Sequence, residues 1–260
     1  MPYVTSHDVR IFYEAEGSGP AIVFHTGAGG DSRIWREAGY VSGTEGFTRL
    51  LIDQRGRGRS DKPQHPDAHR MELFADDVHS VLQELGIPSA AFWGYSNGIL
   101  VGIAFGGLFP NSLRCLVGTG ALRFRDLTDL PRVDPEKEIQ TTIAEKGVVG
   151  ELESRMAKED DRFPPAIDRN VRDGDPLMLA LDGIAWRDWE GPRTVLERFH
   201  APILLLTGEK EDPDRQTEDT VSRIRNARVI RVPNVGHLGA FYRSDLTLPH
   251  ALPFLRDHTM

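Results

Sequence analysis

The sequence predicts an α/β fold in which helices cover both faces of a mostly parallel β-sheet. Short, continuously apolar runs at residues 21–25, 90–93 and 203–207 have the pattern of strands buried on both faces. Residues 70–86 instead place apolar side chains three and four positions apart, which is typical of a helix packed on a sheet. The chain has 260 residues and a hydrophobic content of 39%, enough to fill one core. We therefore expect a single α/β domain with an insertion.

The first half of the chain alternates apolar runs with glycine-rich loops. Residues 9–15 indicate a strand that ends at the turn Glu16–Pro20. Residues 21–25 and 47–53 are buried strands, and each runs directly into a loop rich in glycine. Gly86 follows the helical pattern of residues 70–86 as its stop signal.

The remaining elements continue the same alternation. Apolar runs indicate further strands, and the stretches between them indicate helices. In chain order we predict strand 90–93, helix 97–109, strand 113–119, strand 203–207, a polar helical segment near 214–226, strand 227–232 and an apolar closing stretch at 246–255.

Residues 122–195 interrupt this rhythm. The segment is rich in charge and proline, includes Trp186 and Trp189, and lacks a clear buried strand. We interpret it as an insertion over one edge of the sheet. The predicted organisation is therefore a core of residues 1–121 and 196–260 with residues 122–195 inserted.

Charge and composition exclude several classes of protein. The formal net charge of −8 disfavours a protein built to coat nucleic acid or an anionic membrane. No run approaches the about 20 apolar residues of a membrane span, and the N-terminus lacks a signal-peptide pattern, so we expect a cytoplasmic protein. The single cysteine, Cys115, excludes an internal disulfide and lies in an apolar run, where we expect it to be buried.

The stretch Ala90–Leu100, AAFWGYSNGIL, places a serine between two glycines where a strand becomes a helix. Gly-x-Ser-x-Gly in that context is a nucleophile elbow, a strained turn that presents the serine hydroxyl. Gly94 and Gly98 allow strand and helix to approach closely, so Ser96 is the predicted nucleophile. A plain tight turn would show the same five residues.

Three further loops follow predicted strands and favour the catalytic interpretation. The loop His25–Gly30 can offer a backbone N–H to an oxyanion, together with the N–H of Asn97. His237 follows the last strand and is the candidate general base, because an imidazole titrates near neutral pH. Glu211 and Asp212 follow strand 203–207, where a carboxylate would orient that imidazole.

These motifs together resemble the α/β-hydrolase superfamily over essentially the whole chain, in its serine-nucleophile, esterase- or lactonase-like branch. The resemblance includes Asp53–Ser60, DQRGRGRS, in which we expect Asp53 and Arg55 to have a structural role. It implies an eight-stranded sheet, a helical cap at residues 122–195 and catalysis by serine, acid and histidine without a metal or organic cofactor.

Departures from the family pattern leave two choices open. Thr26 follows His25 where the family usually has glycine, so Gly27 and Ala28 are rival second oxyanion donors. The family acid is commonly Asp three residues after the turn glycine, a position that Glu211 occupies here. A one-residue bulge would instead select Asp212, and the pattern Asp-Pro leads us to prefer Asp212.

The predicted function is hydrolysis of a small to medium carboxylic ester or lactone through an acyl-enzyme. Carbon–carbon bond hydrolysis of a diketone, thioester hydrolysis in a biosynthetic pathway and a non-catalytic ligand receptor remain alternatives. The expected partner is a small-molecule ester, lactone or thioester, and the oligomeric state stays open. Candidate substrate contacts, each of which could equally be core packing, are Thr26, Tyr95, Leu122, Trp186, Trp189, Leu238 and Phe241.

Overall fold

An eight-stranded sheet forms the centre of the computed structural model. The structure describes residues 2–120, 174–189, 198–222 and 224–260, together with residues 134, 136, 137, 139, 140, 195 and 196. The strand order is β1-β2-β4-β3-β5-β6-β7-β8. The strands are β1 (Tyr3–Ser6), β2 (Val9–Glu16), β3 (Ala21–His25), β4 (Thr48–Ile52), β5 (Ala90–Tyr95), β6 (Leu113–Thr119), β7 (Ile203–Gly208) and β8 (Ala227–Val232).

The sheet is parallel from β4 across to β8, and only β1 and β2 pair antiparallel with their neighbours. This confirms the predicted fold class. Sequence analysis missed β1, because this edge strand is mostly exposed and carries no continuous apolar run. Its pairing with β2, in which Ser6 lies opposite Val9, is set by the two-residue turn between the two strands.

Helices pack on both faces of the sheet. The predicted helix over 70–86 spans Met71–Glu84, and the predicted helix over 97–109 spans Gly98–Leu108. The described helices are α1 (Arg33–Glu37), α2 (Tyr40–Gly43), α3 (Met71–Glu84), α4 (Gly98–Leu108), α5 (Pro176–Arg187), α6 (Gln216–Val221), α7 (His237–Tyr242) and α8 (Ser244–Thr259).

The alternation of side chains along each strand divides the apolar core into two layers. In β5, Phe92 packs into the layer under α3 and α4, whereas Trp93 faces the layer under α1, α7 and α8. The second layer is built around an aromatic cluster of Trp35, Tyr40, Trp93 and Phe241. Because Trp35 lies in α1, this cluster anchors the chain directly after the glycine-rich loop that follows β3.

Cys115 is buried in β6, as expected, and burial raises the pKa of its thiol to about 12.

The inserted segment 122–195 lies mostly outside the described residues, so its role as a cap stays a prediction. Its described helix α5 contacts the loop after β4 through Asp182. Among the described helices, none is long and apolar enough to cross a membrane.

We predict that Trp35→Ala lowers the free energy of unfolding by about 3–5 kcal/mol, because Trp35 is completely buried and its removal leaves a cavity. Leu108→Ala is the control, since Leu108 is 48% exposed, and we expect a change within about 0.5 kcal/mol. Urea unfolding followed by circular dichroism measures both. Equal stabilities of the two variants would show that the aromatic cluster is not an anchor.

Candidate active site

Ser96 lies in the sharp turn between β5 and α4 and has a left-handed backbone conformation, with φ of 53°. A non-glycine residue rarely adopts this conformation, which costs about 1–3 kcal/mol unless the surroundings impose it. Here the Ser96 N–H donates a 3.0 Å hydrogen bond to the Thr119 carbonyl at the end of β6. The neighbouring strand therefore holds the turn in place.

The two glycines of this turn are required by close backbone contacts. A Cβ at Gly94 would lie 2.6 Å from the carbonyl carbon of Gly98, and a Cβ at Gly98 would collide with the His25 carbonyl oxygen. The start of α4 is thus pressed against both β5 and the end of β3. No side chain fits at either position, which explains the Gly-x-Ser-x-Gly pattern.

His237 connects Ser96 to a carboxylate. Its Nε2 lies 3.1 Å from Ser96 Oγ, and its Nδ1 lies 2.9 Å from Glu211 Oε1. A carboxylate can only accept, so Nδ1 bears the proton and Nε2 is left to accept from the serine hydroxyl. Only 6% of the His237 side chain and none of the Glu211 side chain is exposed. Little water therefore competes for these hydrogen bonds.

Glu211 is oriented by the turn that follows β7. Its second oxygen, Oε2, accepts from the backbone N–H of Gly208 at 3.2 Å and from the Thr207 hydroxyl at 3.4 Å. The turn itself is closed by the N–H groups of Glu211 and Asp212, which both donate to the Gly208 carbonyl. One carboxylate oxygen is thus fixed by the turn, and the other faces the imidazole.

The preference for Asp212 as the partner of His237 is wrong in this geometry. Asp212 accepts hydrogen bonds, each 2.9 Å long, from the backbone N–H groups of Gln216 and Thr217 at the start of α6. Glu211, the third residue after Gly208, is the carboxylate that reaches His237. Asp212 lies four residues before α6, outside the N-cap position that a sequence pattern identifies, so only the folded chain shows that it accepts from the start of this helix.

The loop after β3 lies against Ser96. A Cβ at Gly27 would lie 2.6 Å from Ser96 Cβ and 3.2 Å from Ser96 Oγ. Thr26 shapes this loop, since its hydroxyl donates to the Gly30 carbonyl at 2.9 Å. Asn97 directly follows the serine and precedes the first residue of α4. The backbone of two segments, the loop after β3 and the start of α4, therefore lies next to Ser96.

His25 has a structural role. Its ring stacks on Phe92, and its Nδ1 lies 3.2 Å from the Thr26 carbonyl oxygen. Complete burial and the nearby Arg57 guanidinium lower the pKa of His25 to about 3. The ring is consequently neutral at neutral pH, and it supports the loop without contributing charge.

The loop Asp53–Ser60 after β4 is tied to its surroundings by buried charges, as expected for Asp53 and Arg55. Asp53 accepts from the backbone N–H groups of Ser32 and Arg59. Arg55 forms a bidentate ion pair with Asp77 of α3, and at most 2% of either side chain is exposed. Sequence analysis gave no role to Arg57, which the structure pairs with Asp182 of α5.

The candidate substrate contacts are mostly buried in the protein. Tyr95 stacks on the His237 ring, with centroids 5.2 Å apart, and on Phe241 at 4.2 Å. Phe241 is completely buried in the aromatic cluster, and Leu238 is 4% exposed in the same layer. Phe241 thus packs behind Tyr95, which itself stacks on the imidazole, so Phe241 has the core-packing role that the sequence left open.

The other candidate substrate contacts lie in the loop after β3, in the inserted segment and outside the described residues. Thr26 is fully buried, and its hydroxyl is bonded within the loop. Trp186 and Trp189 are partly buried against the core layer that contains α3 and α4. Leu122 lies outside the described residues. None of these side chains is brought to Ser96 by a described contact.

A cavity of about 420 Å³ opens beside the loop after β3, and its lining does not include Ser96 or His237. It lies between the loop after β3, the loop after β4 and helix α5, and its lining includes Gly29, Gly30, Arg57 and Met178.

Within the part of the chain that the structure describes, no group of three or more His, Cys, Asp or Glu side chains is arranged to hold a metal ion.

We predict that Gly98→Ala destabilises the protein by about 1–3 kcal/mol, because the added methyl group meets the His25 backbone, which cannot move without displacing β3. Gly107→Ala in the same helix is the control. Its methyl group would lie 2.7 Å from Cγ1 of the Val195 side chain and would meet no backbone among its nearest neighbours, and the gain in helix propensity offsets part of the contact, so we expect a smaller loss than at Gly98. Urea unfolding of both variants compares them, and equal stabilities would contradict this account of the turn.

Comparison with known proteins agrees with this architecture. Residues 20–151 match the family model described as alpha/beta hydrolase fold. The bifunctional esterase/perhydrolase DCH of Acinetobacter calcoaceticus is 25% identical over 265 residues, which span 91% of this chain and 93% of that protein. Seven further curated relatives align over 18 to 43% of their own length.

Solved structures share the fold over the whole chain. A thermophilic esterase from Thermogutta terrifontis superposes with a TM-score of 0.80 at 18% identity, over 100% of this chain and 98% of that one. The enol-lactonase from Burkholderia xenovorans LB400 superposes with a TM-score of 0.76 at 21% identity, over 98% of this chain and 100% of that one. At such identities the likeness concerns the fold alone.

Proposed function

This chain belongs to the alpha/beta hydrolase fold family, and we propose that it is a serine hydrolase of carboxylic esters or lactones. The observation that carries the proposal is the continuous line of hydrogen bonds from Ser96 through His237 to Glu211. A weakly acidic hydroxyl, a base that titrates near neutrality and a buried carboxylate that orients the base are the parts that acyl transfer needs.

In the proposed reaction, Ser96 Oγ attacks the substrate carbonyl carbon while its proton passes to His237 Nε2. The resulting imidazolium is stabilised by Glu211, whose Oε1 accepts from Nδ1. His237 then returns the proton to the leaving alkoxide oxygen, and the acyl group stays on Ser96. Water deprotonated by the same imidazole attacks the acyl-enzyme and releases the carboxylic acid.

The negative charge of the tetrahedral intermediate falls on the former carbonyl oxygen. We assign its stabilisation to the N–H of Asn97 at the start of α4 and to an N–H of the loop that contains Gly27 and Ala28. The helix dipole of α4 adds to the first of these donors. Removing one such donor typically costs about 10²–10³ in kcat.

We expect a small to medium acyl or lactone substrate. The cavity of about 420 Å³ borders the same glycine-rich loop, and ligand pockets typically measure about 300–1,000 Å³. The likeness to an esterase/perhydrolase over 91% of this chain supports ester-bond chemistry. The segment 122–195, including α5, would act as the cap over this cavity.

We predict that wild-type protein forms one covalent adduct with a fluorophosphonate and that Ser96→Ala forms none, because only an activated serine attacks this reagent. Intact-protein mass spectrometry detects the adduct, and hydrolysis of 4-nitrophenyl acetate and butyrate gives the turnover. Circular dichroism controls for folding. A folded wild-type protein that takes up no label would contradict the proposal and would favour a ligand receptor.

The two neighbouring carboxylates can be separated by matched amide variants. Glu211→Gln should lower kcat by about 10³–10⁴-fold, since an amide can donate to Nδ1 and thus favours the wrong imidazole tautomer. Asp212→Asn should keep kcat within about threefold and lower the free energy of unfolding by about 1 kcal/mol through the weaker cap on α6. Steady-state kinetics and urea unfolding test both, and the reverse pattern would move the acid to Asp212.

A further inference from the structure

Arg57 is a buried cation whose guanidinium contacts two different segments. It lies between Gly56 and Gly58 in the loop after β4, and 7% of its side chain is exposed. Its Nε donates to Asp182 Oδ2 at 2.8 Å, and its second terminal nitrogen lies 2.5 Å from the same oxygen. Its first terminal nitrogen donates to the carbonyl oxygen of Gly27. All three guanidinium nitrogens are therefore engaged inside the protein.

Asp182 holds Arg57 in this orientation. Only 5% of its side chain is exposed, so without Arg57 it would be a buried unpaired charge. Its other oxygen, Oδ1, accepts from Gln54 Nε2 at 2.8 Å and lies 3.7 Å from His69 Nδ1. Asp182 belongs to α5 within the inserted segment, 125 residues beyond Arg57. The pair thus connects the insertion to the loop that faces Ser96.

The Gly27 carbonyl belongs to the peptide group that also contains the Ala28 N–H. That group is planar and trans, so its C=O and N–H point in opposite directions. A hydrogen bond from Arg57 to the oxygen therefore fixes the direction of the Ala28 N–H as well. Gly30 donates to the same oxygen at 3.2 Å, which leaves the peptide little freedom to rotate.

The Gly27–Ala28 peptide group begins at the Gly27 Cα, which lies next to the nucleophile Ser96. The Gly27 Cα is so close to Ser96 that a Cβ on it would lie 2.6 Å from Ser96 Cβ. An error in the orientation of the peptide would consequently move a donor at the position where the oxyanion forms. A glycine-rich loop cannot resist such an error by itself, because glycine restricts its backbone least.

We propose that Arg57, held by Asp182, is a positioning residue that sets the Gly27–Ala28 peptide so that the Ala28 N–H serves as the second oxyanion donor. The inference rests on the proposed serine-hydrolase function. It differs from a substrate-binding role for Arg57, since the hydrogen bonds on which it depends run to two protein groups, the Asp182 carboxylate and the Gly27 carbonyl. It also makes the oxyanion donor depend on α5, a helix of the inserted segment.

The test compares two isosteric variants that each neutralise one buried Arg–Asp pair of the same loop. Asp182→Asn weakens the pair that reaches Gly27. Asp77→Asn weakens the Arg55 pair, whose described bonds run to Ala68, Ser6 and Asp77 and do not reach Gly27. With 4-nitrophenyl acetate and butyrate, we expect Asp182→Asn to lower kcat about 10-fold with KM within about threefold. Asp77→Asn should keep both constants within about threefold.

Arg57→Met, which keeps the aliphatic stem and removes the hydrogen bond to Gly27, should lower kcat about 10²-fold at nearly constant KM. Circular dichroism and the unfolding midpoint establish that each variant is native. A merely structural role would lower the unfolding midpoint of all three variants and leave kcat per native molecule unchanged.

The outcomes separate the two proposals. Unchanged kcat in Asp182→Asn and Arg57→Met, with an active wild type, would overturn the positioning role and leave the serine mechanism intact. Equal losses of kcat in Asp182→Asn and Asp77→Asn would also overturn it, because the effect would then not depend on Gly27. A folded wild type that neither hydrolyses the esters nor takes up fluorophosphonate would overturn both proposals.

Discussion

The strained turn at Ser96 is the constraint on which the rest of the site depends. The serine occupies a left-handed conformation that isolated residues avoid, and it persists because the surrounding backbone leaves no alternative. Gly94 and Gly98 bring β5, α4 and the end of β3 into backbone contact, and Thr119 accepts the serine N–H from β6. Three adjacent strands therefore determine where the hydroxyl points, and the glycine-rich loop and the imidazole are arranged around that point.

The parallel sheet explains how distant residues meet at this turn. Each functional group lies just after a strand: the loop Thr26–Gly30 after β3, Ser96 after β5, Glu211 after β7 and His237 after β8. The carboxyl ends of parallel strands lie along one edge, so such residues converge without any long side chain. Short connections hold them rigidly, as the Gly208 turn does when it fixes one oxygen of Glu211 and directs the other towards His237.

Buried charges extend this rigidity beyond the sheet. The loop after β4 contains two Arg–Asp pairs with different destinations: Arg55 links the loop to α3, and Arg57 links it to α5 and to Gly27. Such pairs add little net stability, because desolvation opposes their attraction, but they strongly specify geometry. In this protein the specified geometry includes a peptide beside the nucleophile, which connects the inserted segment to the chemistry proposed for Ser96.

The sequence by itself determined the parallel sheet, the serine turn and the position of His237. These features depend on local patterns, namely continuous apolar runs, glycines at sites of close approach and a polar residue directly after a strand. Tertiary structure decided between Glu211 and Asp212, because adjacent side chains in one turn point in different directions and only the Gly208 hydrogen bonds select which one reaches the imidazole. It alone revealed the contact between Arg57 and Asp182, since no local pattern links two residues 125 positions apart. Local sequence fixes backbone conformation, whereas the choice among neighbouring polar side chains is made by partners that folding brings from elsewhere in the chain.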